Sequence, residues 1–332
     1  MKYIWNLLLC MAVCSCGSCD KNENKGKDVV SGPGYLFAHM STTDYGSMYY
    51  SVSSDGIEWE TLNNGEKIND YRGHHDFCMG RDGRYYMIGI DGSTRKPLLW
   101  VTSNLISWGV EKHLPESMFD VEPNGYFTEK VWYCAPKMFF DEASDQYIIT
   151  WHPAELKYKD RNLSESERED MWRSIRTFYV LTKDFVTFTE PERLFSFTGI
   201  HESMPTMDAI IRKVNGRYYT FIKDERWPTE ITEGAKAIRW CVSDNLTGPY
   251  SNPSYSVTET WTEAQTIVRT PDGEGWRLYV EHYPIEYHMY ESPGIEGPWT
   301  KIKIKSPDSR HGSMIWVDAE TLTAVRRAYR NK

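Results

Sequence analysis

The sequence predicts an all-β chain, a five-bladed β-propeller in which the C-terminal strand closes the first blade. Three observations predict it. The first is a shared ending in five segments: Ser53–Trp59 (SSDGIEW), Thr102–Trp108 (TSNLISW), Thr182–Phe188 (TKDFVTF), Ser243–Tyr250 (SDNLTGPY) and Glu291–Trp299 (ESPGIEGPW). Each has a small polar turn, then an aliphatic or small residue, then a closing aromatic. The second is a recurring turn ahead of a strand, at Asp82-Gly83, Asp145-Gln146, Asn215-Gly216 and Asp272-Gly273. Asp-Gly or Asn-Gly before alternating aromatics is a strong hairpin signal, because only such residues reach positive φ cheaply. The third is the stretch after Arg310 (HGSMIWVDAETLTAVRRAY), which has strand character and no blade of its own. Each unit therefore reads as four strands, the blade of a propeller. Two stacked β-sandwiches would also supply many short strands, but not five matched endings.

Taken in order, the chain begins with Met1-Lys2 and an almost wholly apolar run from Ile4 to Val13. Such a run is too short to span a bilayer and suits the core of an export signal. Val13-Cys14-Ser15-Cys16 follows and resembles a lipobox, with Cys16 as the residue to be lipidated; Cys19, after Gly17-Ser18, is a second candidate. The expected chain is thus exported and lipid-anchored to a bacterial membrane, periplasmic or at the cell surface, with residues 1–19 as signal and lipobox. Residues 20–33 are polar, charged and aperiodic, as a flexible tether is. Residues 34–332 form the propeller.

The closing aromatics Trp59, Trp108, Phe188, Tyr250 and Trp299 lie 49, 80, 62 and 49 residues apart, so the third unit carries an insertion, roughly 152–175. Within it Ser164-Glu165-Ser166-Glu167 has capping-box spacing and opens the one convincing helix, through about Arg173. The residues after Arg310 are expected to be a strand pair that completes the first blade, which removes open sheet edges.

Composition excludes some functions. The net charge is −9 and no Lys/Arg cluster stands out, so no nucleic-acid partner is expected. Cys78, Cys134 and Cys241 are too few and too widely spaced for a disulfide framework or a metal site, and read as small core residues. No metal ligand set and no cofactor are expected, and with no coiled coil or interface helix a monomer is expected. Aromatic residues make up 14% of the chain. They suit a large β core, and equally a cleft that stacks flat rings against sugar faces.

The innermost strands of a propeller converge on a central tunnel. Ahead of the tight turns lie His75-Asp76-Phe77, Met207-Asp208-Ala209 and Thr262-Glu263-Ala264, three carboxylates leading three apolar strands. An acid leading a buried strand is costly unless it meets water or performs a task. Acids that merely cap turns are the plain reading of each one singly. Two carboxylates across a scissile bond are what glycoside hydrolysis needs, one as acid and one to activate water, and a third can tune the acid.

The stretch from residue 35 to 320 resembles glycoside hydrolase family 43. The matching pieces are Gly83–Met87, Trp132–Asp141, Pro205–Ile211, Tyr218–Glu225, Thr262–Thr266 and Arg310-His311-Gly312. The resemblance implies a five-bladed propeller glycosidase, arabinofuranosidase- or xylosidase-like. It implies inversion at the anomeric carbon, exo action on a polysaccharide, Asp208 as the tuning residue and Glu263 as the general acid. The family usually has Asp-Pro at its base position, and here the chain reads Arg72-Gly73-His74-His75-Asp76-Phe77. An ungapped match lands on His74. A shortened loop lands on Asp76, which the internal repeat also aligns with Asp208, so Asp76 is expected as the base and His74 as a substrate ligand. A propeller that binds carbohydrate without turnover is the alternative, and a retaining hydrolase a third reading. Trp132 is expected as a sugar-facing ring or a core Trp. Arg310 and His311 lie by the closing strand, and the resemblance puts the His toward the tunnel, in some members beside an ion or water. Glu225 reads as a ligand of substrate hydroxyls or as a solvated loop acid, and Trp151, Trp227 and Tyr283 as subsite rings without a fixed place.

Overall fold

The computed structural model describes residues 32–231, 233–283 and 286–330. The signal, the lipidation candidate Cys16 and the tether as far as residue 31 lie outside the described residues.

Five sheets follow one another along the chain. The first holds β1 (Gly34–Met40), β2 (Tyr49–Ser53) and β3 (Glu60–Thr61). The second holds β4 (Cys78–Met79), β5 (Tyr85–Ile90), β6 (Pro97–Thr102) and β7 (Gly109–His113). A short β8 (Tyr126–Phe127) precedes the third, made of β9 (Lys137–Asp141), β10 (Gln146–Trp151), β12 (Phe178–Thr182) and β13 (Glu192–Arg193); β11 (Ala154–Glu155) pairs with β8. The fourth holds β14 (Thr206–Val214), β15 (Arg217–Asp224) and β16 (Ala237–Ser243). Its outer edge is an irregular stretch whose Ser251, Ser254 and Val257 amides donate to Val242, Trp240 and Ile238 carbonyls. The fifth holds β17 (Thr262–Arg269), β18 (Trp276–His282), β19 (Glu286–Ser292) and β20 (Thr300–Ile302). β21 (Arg310–Val317) then returns to pair with β1, giving the order β21-β1-β2-β3.

The innermost strands β21, β4, β9, β14 and β17 stand next to one another around a hub. Polar side chains staple them across blades. The Phe77 amide donates to Ser313 Oγ (3.1 Å), Met138 to Asp76 Oδ2 (2.6 Å) and Met314 to Thr266 Oγ1 (3.1 Å). The core is divided the same way, into one apolar cluster per blade interface. Leu36, Val52 and Met87 join blades one and two, and Tyr86, Ile88 and Ile149 join two and three. Ile148, Ile211 and Tyr218 join three and four, Ile210, Tyr219 and Leu278 four and five, and Tyr279, Met289 and Phe37 five and one. The last cluster closes the ring, so the chain is a five-bladed propeller as its repeats predict.

The shared endings fold alike for a chemical reason. Ser53, Thr102 and Thr182 each accept the amide three residues on, from Gly56, Leu105 and Phe185. Asp55, Asn104 and Asp184 each accept the amides two and three residues on. These side chains replace the backbone acceptors that a tight turn lacks. The fourth residue of each of these endings takes positive φ, at Gly56, Leu105 and Phe185 alike.

Three expectations need correction. The C-terminal region is one strand followed by α2 (Ala319–Ala328), not a strand pair. Asp318 caps α2 by accepting the Thr321 amide, and Leu322 and Val325, three apart, bury against the first blade. Trp151 is core, 1% exposed, its indole N–H donating to Thr128 Oγ1 at 2.9 Å. Cys134 is not packed away as Cys78 and Cys241 are, but half-buried. The insertion helix α1 (Glu165–Ser174) stands where the capping box puts it, with both reciprocal bonds between Ser164 and Glu167 made.

Candidate active site

At one end of the hub the innermost strands do not run straight to their tips. β14 is bulged between Met207 and Ile210, β17 between Glu263 and Thr266, and β1 against β21 between His39 and Met40, opposite His311. A bulge puts two residues against one and re-aims their side chains. Asp208 takes φ +52° and Ala264 +49°, conformations that cost non-glycine residues energy and persist where the surroundings impose them. The result turns Asp208, Glu263 and His311 into one chamber of about 1000 Å³.

Blade two contributes His74, and blade three Trp132, Cys134 and His152, to the same chamber. Tyr133, Cys134 and Ala135 take positive φ in succession, a tight left-handed turn beside Trp132. Trp132 faces the chamber, with the Arg72 guanidinium 5.9 Å above its ring and Tyr45 5.6 Å away. Gly46, at φ +91°, packs beneath it, where a Cβ would sit 2.4 Å from the ring. The far wall is a row of rings. Trp227 meets Trp261 at 5.6 Å, and Trp261 meets Tyr283 at 5.7 Å, each edge to face. Met171 and Trp172 of α1 complete the wall, so the insertion builds part of the site.

Charge is organised around one lysine. Lys223, almost fully buried on β15, donates to Glu263 Oε2 at 2.6 Å and lies 2.9 Å from Glu225 Oε2. Lys236 pairs with the other Glu225 oxygen and lies 4.5 Å from the Trp227 ring centre. Glu225 is therefore no solvated loop acid: it is 6% exposed, between two ammonium groups, on the chamber wall. Behind it Asp224 holds both Arg226 and Arg239, fixing the segment that carries Trp227.

Burial alone would raise the Glu263 carboxyl, but the Lys223 and His311 charges outweigh it and hold Glu263 below the usual carboxylate range. Asp208 is likewise held low against its burial by Lys137, His152, His311 and Lys223. Its Oδ2 accepts the amide of Ala264, the residue after Glu263, at 3.4 Å. Burial would lower His311, but the Glu281 hydrogen bond and the charges of Glu263, Glu281 and Asp208 raise it. Its ring nitrogens lie 3.1 Å from Glu281 Oε2 and 3.7 Å from Glu263 Oε1. Arg310 pairs with the remaining Glu281 oxygen.

Glu263, Glu281 and His311 bring donor atoms within 4.8 Å of one another. Lys223 and Arg310 already neutralise those carboxylates, so the group does not fit an added cation beside His311.

Of the residues named from sequence, His74, Trp132, Asp208, Glu225, Glu263, Arg310 and His311 line the chamber. Trp227 and Tyr283 join them. Asp76 does not. Its carboxylate accepts the Met138 amide and borders a narrow crevice lower in the hub, with Lys137 and Arg212. It staples blade two to blade three as Ser313 and Thr266 staple theirs and, contrary to the expectation that it faces the chamber, is not among the residues that line it. Burial pushes its carboxyl up, against the pull of Lys137. Sequence reading missed Lys223, Lys236, His152 and Tyr45. The signal for Lys223 was there: a lysine inside the apolar run YYTFIKD must find an anion when the strand is buried.

A family of probable glycosyl hydrolase domains, related to glycosyl hydrolase family 43, matches residues 32–322. An α-L-arabinofuranosidase of Bifidobacterium longum is 23% identical over 197 residues, 52% of this chain and 17% of that protein. The match thus spans less than a fifth of that relative's length. Among solved structures, a thermostable family-43 glycoside hydrolase aligns over 70% of this chain and 73% of its own, with 17% identity and a TM-score of 0.47. An α-L-arabinofuranosidase of Fusarium graminearum, in complex with an iminosugar inhibitor, aligns over 79% and 74%, with 13% identity and a TM-score of 0.47. With the family match running from before β1 into α2, the chain belongs to the glycosyl hydrolase 43-related family.

Proposed function

We propose that the protein is a glycosidase that hydrolyses an O-glycosyl bond at the end of an oligo- or polysaccharide. The observation that carries this reading is the meeting of Asp208 and Glu263, from two bulged hub strands, in one chamber walled by aromatic rings. Rings of Trp132, Trp227, Trp261 and Tyr283 offer apolar faces to a sugar, while fixed charges orient its hydroxyls. A chamber entered at one end of the hub suits exo action.

Glu263 gives its proton to the glycosidic oxygen as the bond to the anomeric carbon breaks and the electron pair leaves with that oxygen. Water attacks the opposite face and loses a proton to a base, which inverts the carbon. Asp208 acts on Glu263 through the Ala264 amide and through its own charge. Lys223 favours the ionised form of Glu263, so the proton that Glu263 must donate is held more readily as the pH falls. The name of the Bifidobacterium longum relative makes arabinofuranosides the first substrates to try, then xylosides. The apolar run before Cys16 supports action as an exported, lipid-anchored enzyme.

The test is hydrolysis of aryl arabinofuranosides, xylosides and galactofuranosides by the wild type and Glu263→Gln, with the product anomer followed by proton NMR. We expect turnover with inversion, lowered about 10²–10⁴-fold in the variant. A folded wild type that turns over none of the panel, or a variant that matches it, rejects the reading.

A further inference from the structure

We propose that His74 is the general base, taking a proton from the attacking water in place of the carboxylate that Asp76 does not supply. The proposal rests on the glycosidase reading above and adds a residue to it. Position is the first argument. Asp76 is two residues further into the hub, and its Oδ2 is committed to the Met138 amide. His74 lines the chamber together with Glu263 and Asp208.

Fixation is the second. Tyr71 donates its hydroxyl to the His74 carbonyl at 3.2 Å. The preceding Gly73, at φ +154°, lies so close to Gly89 and Tyr71 that a Cβ would meet the Tyr71 hydroxyl at 2.7 Å. The imidazole is bordered by Tyr45, Trp132 and His311, with ring centres 5.5, 5.9 and 5.0 Å away. Nε2 lies 3.2 Å from the Tyr45 hydroxyl. In the tautomer whose Nε2–H is donated to the Tyr45 hydroxyl, Nδ1 keeps the lone pair that accepts the proton of water.

Charge is the third. The groups that act on His74 are His311 from β21, Lys137 from β9, His152 after β10 and His75 beside it, with the neutral Tyr45 hydroxyl on the β1–β2 loop. Burial first, and then the charges of His311 and Lys137, hold the imidazole well below its usual range. A histidine base needs that here. Lowering it keeps the imidazole lone pair available further into the acid range, the direction that a partner acid needing its proton requires.

The step balances. Water forms its bond to the anomeric carbon and passes a proton to His74, Glu263 protonates the departing oxygen, and both groups return to their resting states through solvent.

The experiment compares wild type, His74→Asn, Asp76→Asn and Glu263→Gln on one aryl glycoside with a poor and one with a good leaving group, each with and without azide. Melting curves check folding. His74→Asn is expected to lose about 10²–10⁴-fold in kcat on both substrates. Azide, which needs no base, is expected to restore turnover and give the glycosyl azide. Glu263→Gln should instead recover on the good leaving group alone, and Asp76→Asn should turn over like the wild type. If His74→Asn melts below the assay temperature, His74→Gln replaces it. Retained turnover in a folded His74 variant overturns the proposal, as does loss in a folded Asp76→Asn. An inactive wild type instead overturns the glycosidase reading itself.

Discussion

Asp76 and Asp208 look alike in sequence and nearly alike in burial, at 7% and 6% exposure, yet they do different things. Asp208 sits in a bulge, with φ +52°, and its carboxylate reaches the chamber, where surrounding cations hold it ionised. Asp76 precedes β4, whose pairing with β5 runs without a register shift, and its carboxylate turns to the neighbouring blade. Backbone geometry, not residue type, decides whether an acid near the hub faces substrate or holds two blades together.

The largest effect expected from that contrast is a split between activity and stability. Asp208→Asn should lower kcat/KM by about 10²-fold or more, with little change in melting. Asp76→Ala should lower unfolding free energy by about 1–3 kcal/mol, because it leaves the Met138 amide without an acceptor, while kcat/KM stays near wild type. Denaturant titration and kinetics on the same samples check both, and a reversal of the two roles would break the comparison.

Next in size is Gly46→Ala. The new methyl would push Trp132 out of place, so KM should rise about tenfold, with a smaller fall in kcat. An unchanged KM would remove Trp132 from the sugar-binding wall.

Lys223→Gln sharpens the electrostatic side. Lys223 favours the ionised form of Glu263, so its removal raises that carboxyl. The limb of kcat/KM that falls as Glu263 loses its proton should then move to higher pH, by about one unit. A limb that stays in place, or moves down, would mean that Glu263 is not the acid.

The smallest effect is expected at Thr266→Val, which takes the acceptor from the Met314 amide at the seam between blades five and one. A loss of about 1 kcal/mol in denaturant titration, without a change in KM, would mark Thr266 as a staple like Asp76.

The repeat was legible because its chemistry is written in residue types. Ser53 with Asp55, Thr102 with Asn104, and Thr182 with Asp184 make the same bonds in three turns, and only such side chains make them. With the two further endings that close on Gly-Pro and an aromatic, Tyr250 and Trp299, they mark five blades. Bulges leave no such mark. Asp208 and Ala264 are common residues forced to positive φ by the hub, so a linear alignment paired Asp208 with Asp76 although the two face different partners. Glu263 and Asp208 are not equivalent in register either: Glu263 pairs across to Glu281, while Asp208 lies inside its bulge, beyond Met207 paired to Lys223. The helix α2 was hidden by β-branched residues, Thr321, Thr323 and Val325, that suit a strand, until Asp318 capped it. The aromatic wall was visible as composition but not as a place, since Trp227, Trp261 and Tyr283 come from different loops that only the folded hub brings together.

The pairing of β1 with β21 has a directional consequence. Met40 lies opposite Arg310 at the chamber end of the hub, and Gly34 lies opposite Val317 at the other end. Six residues of extended strand, about 20 Å, separate them. The first strand of the propeller therefore begins, at Gly34, on the face remote from the chamber and runs toward its mouth.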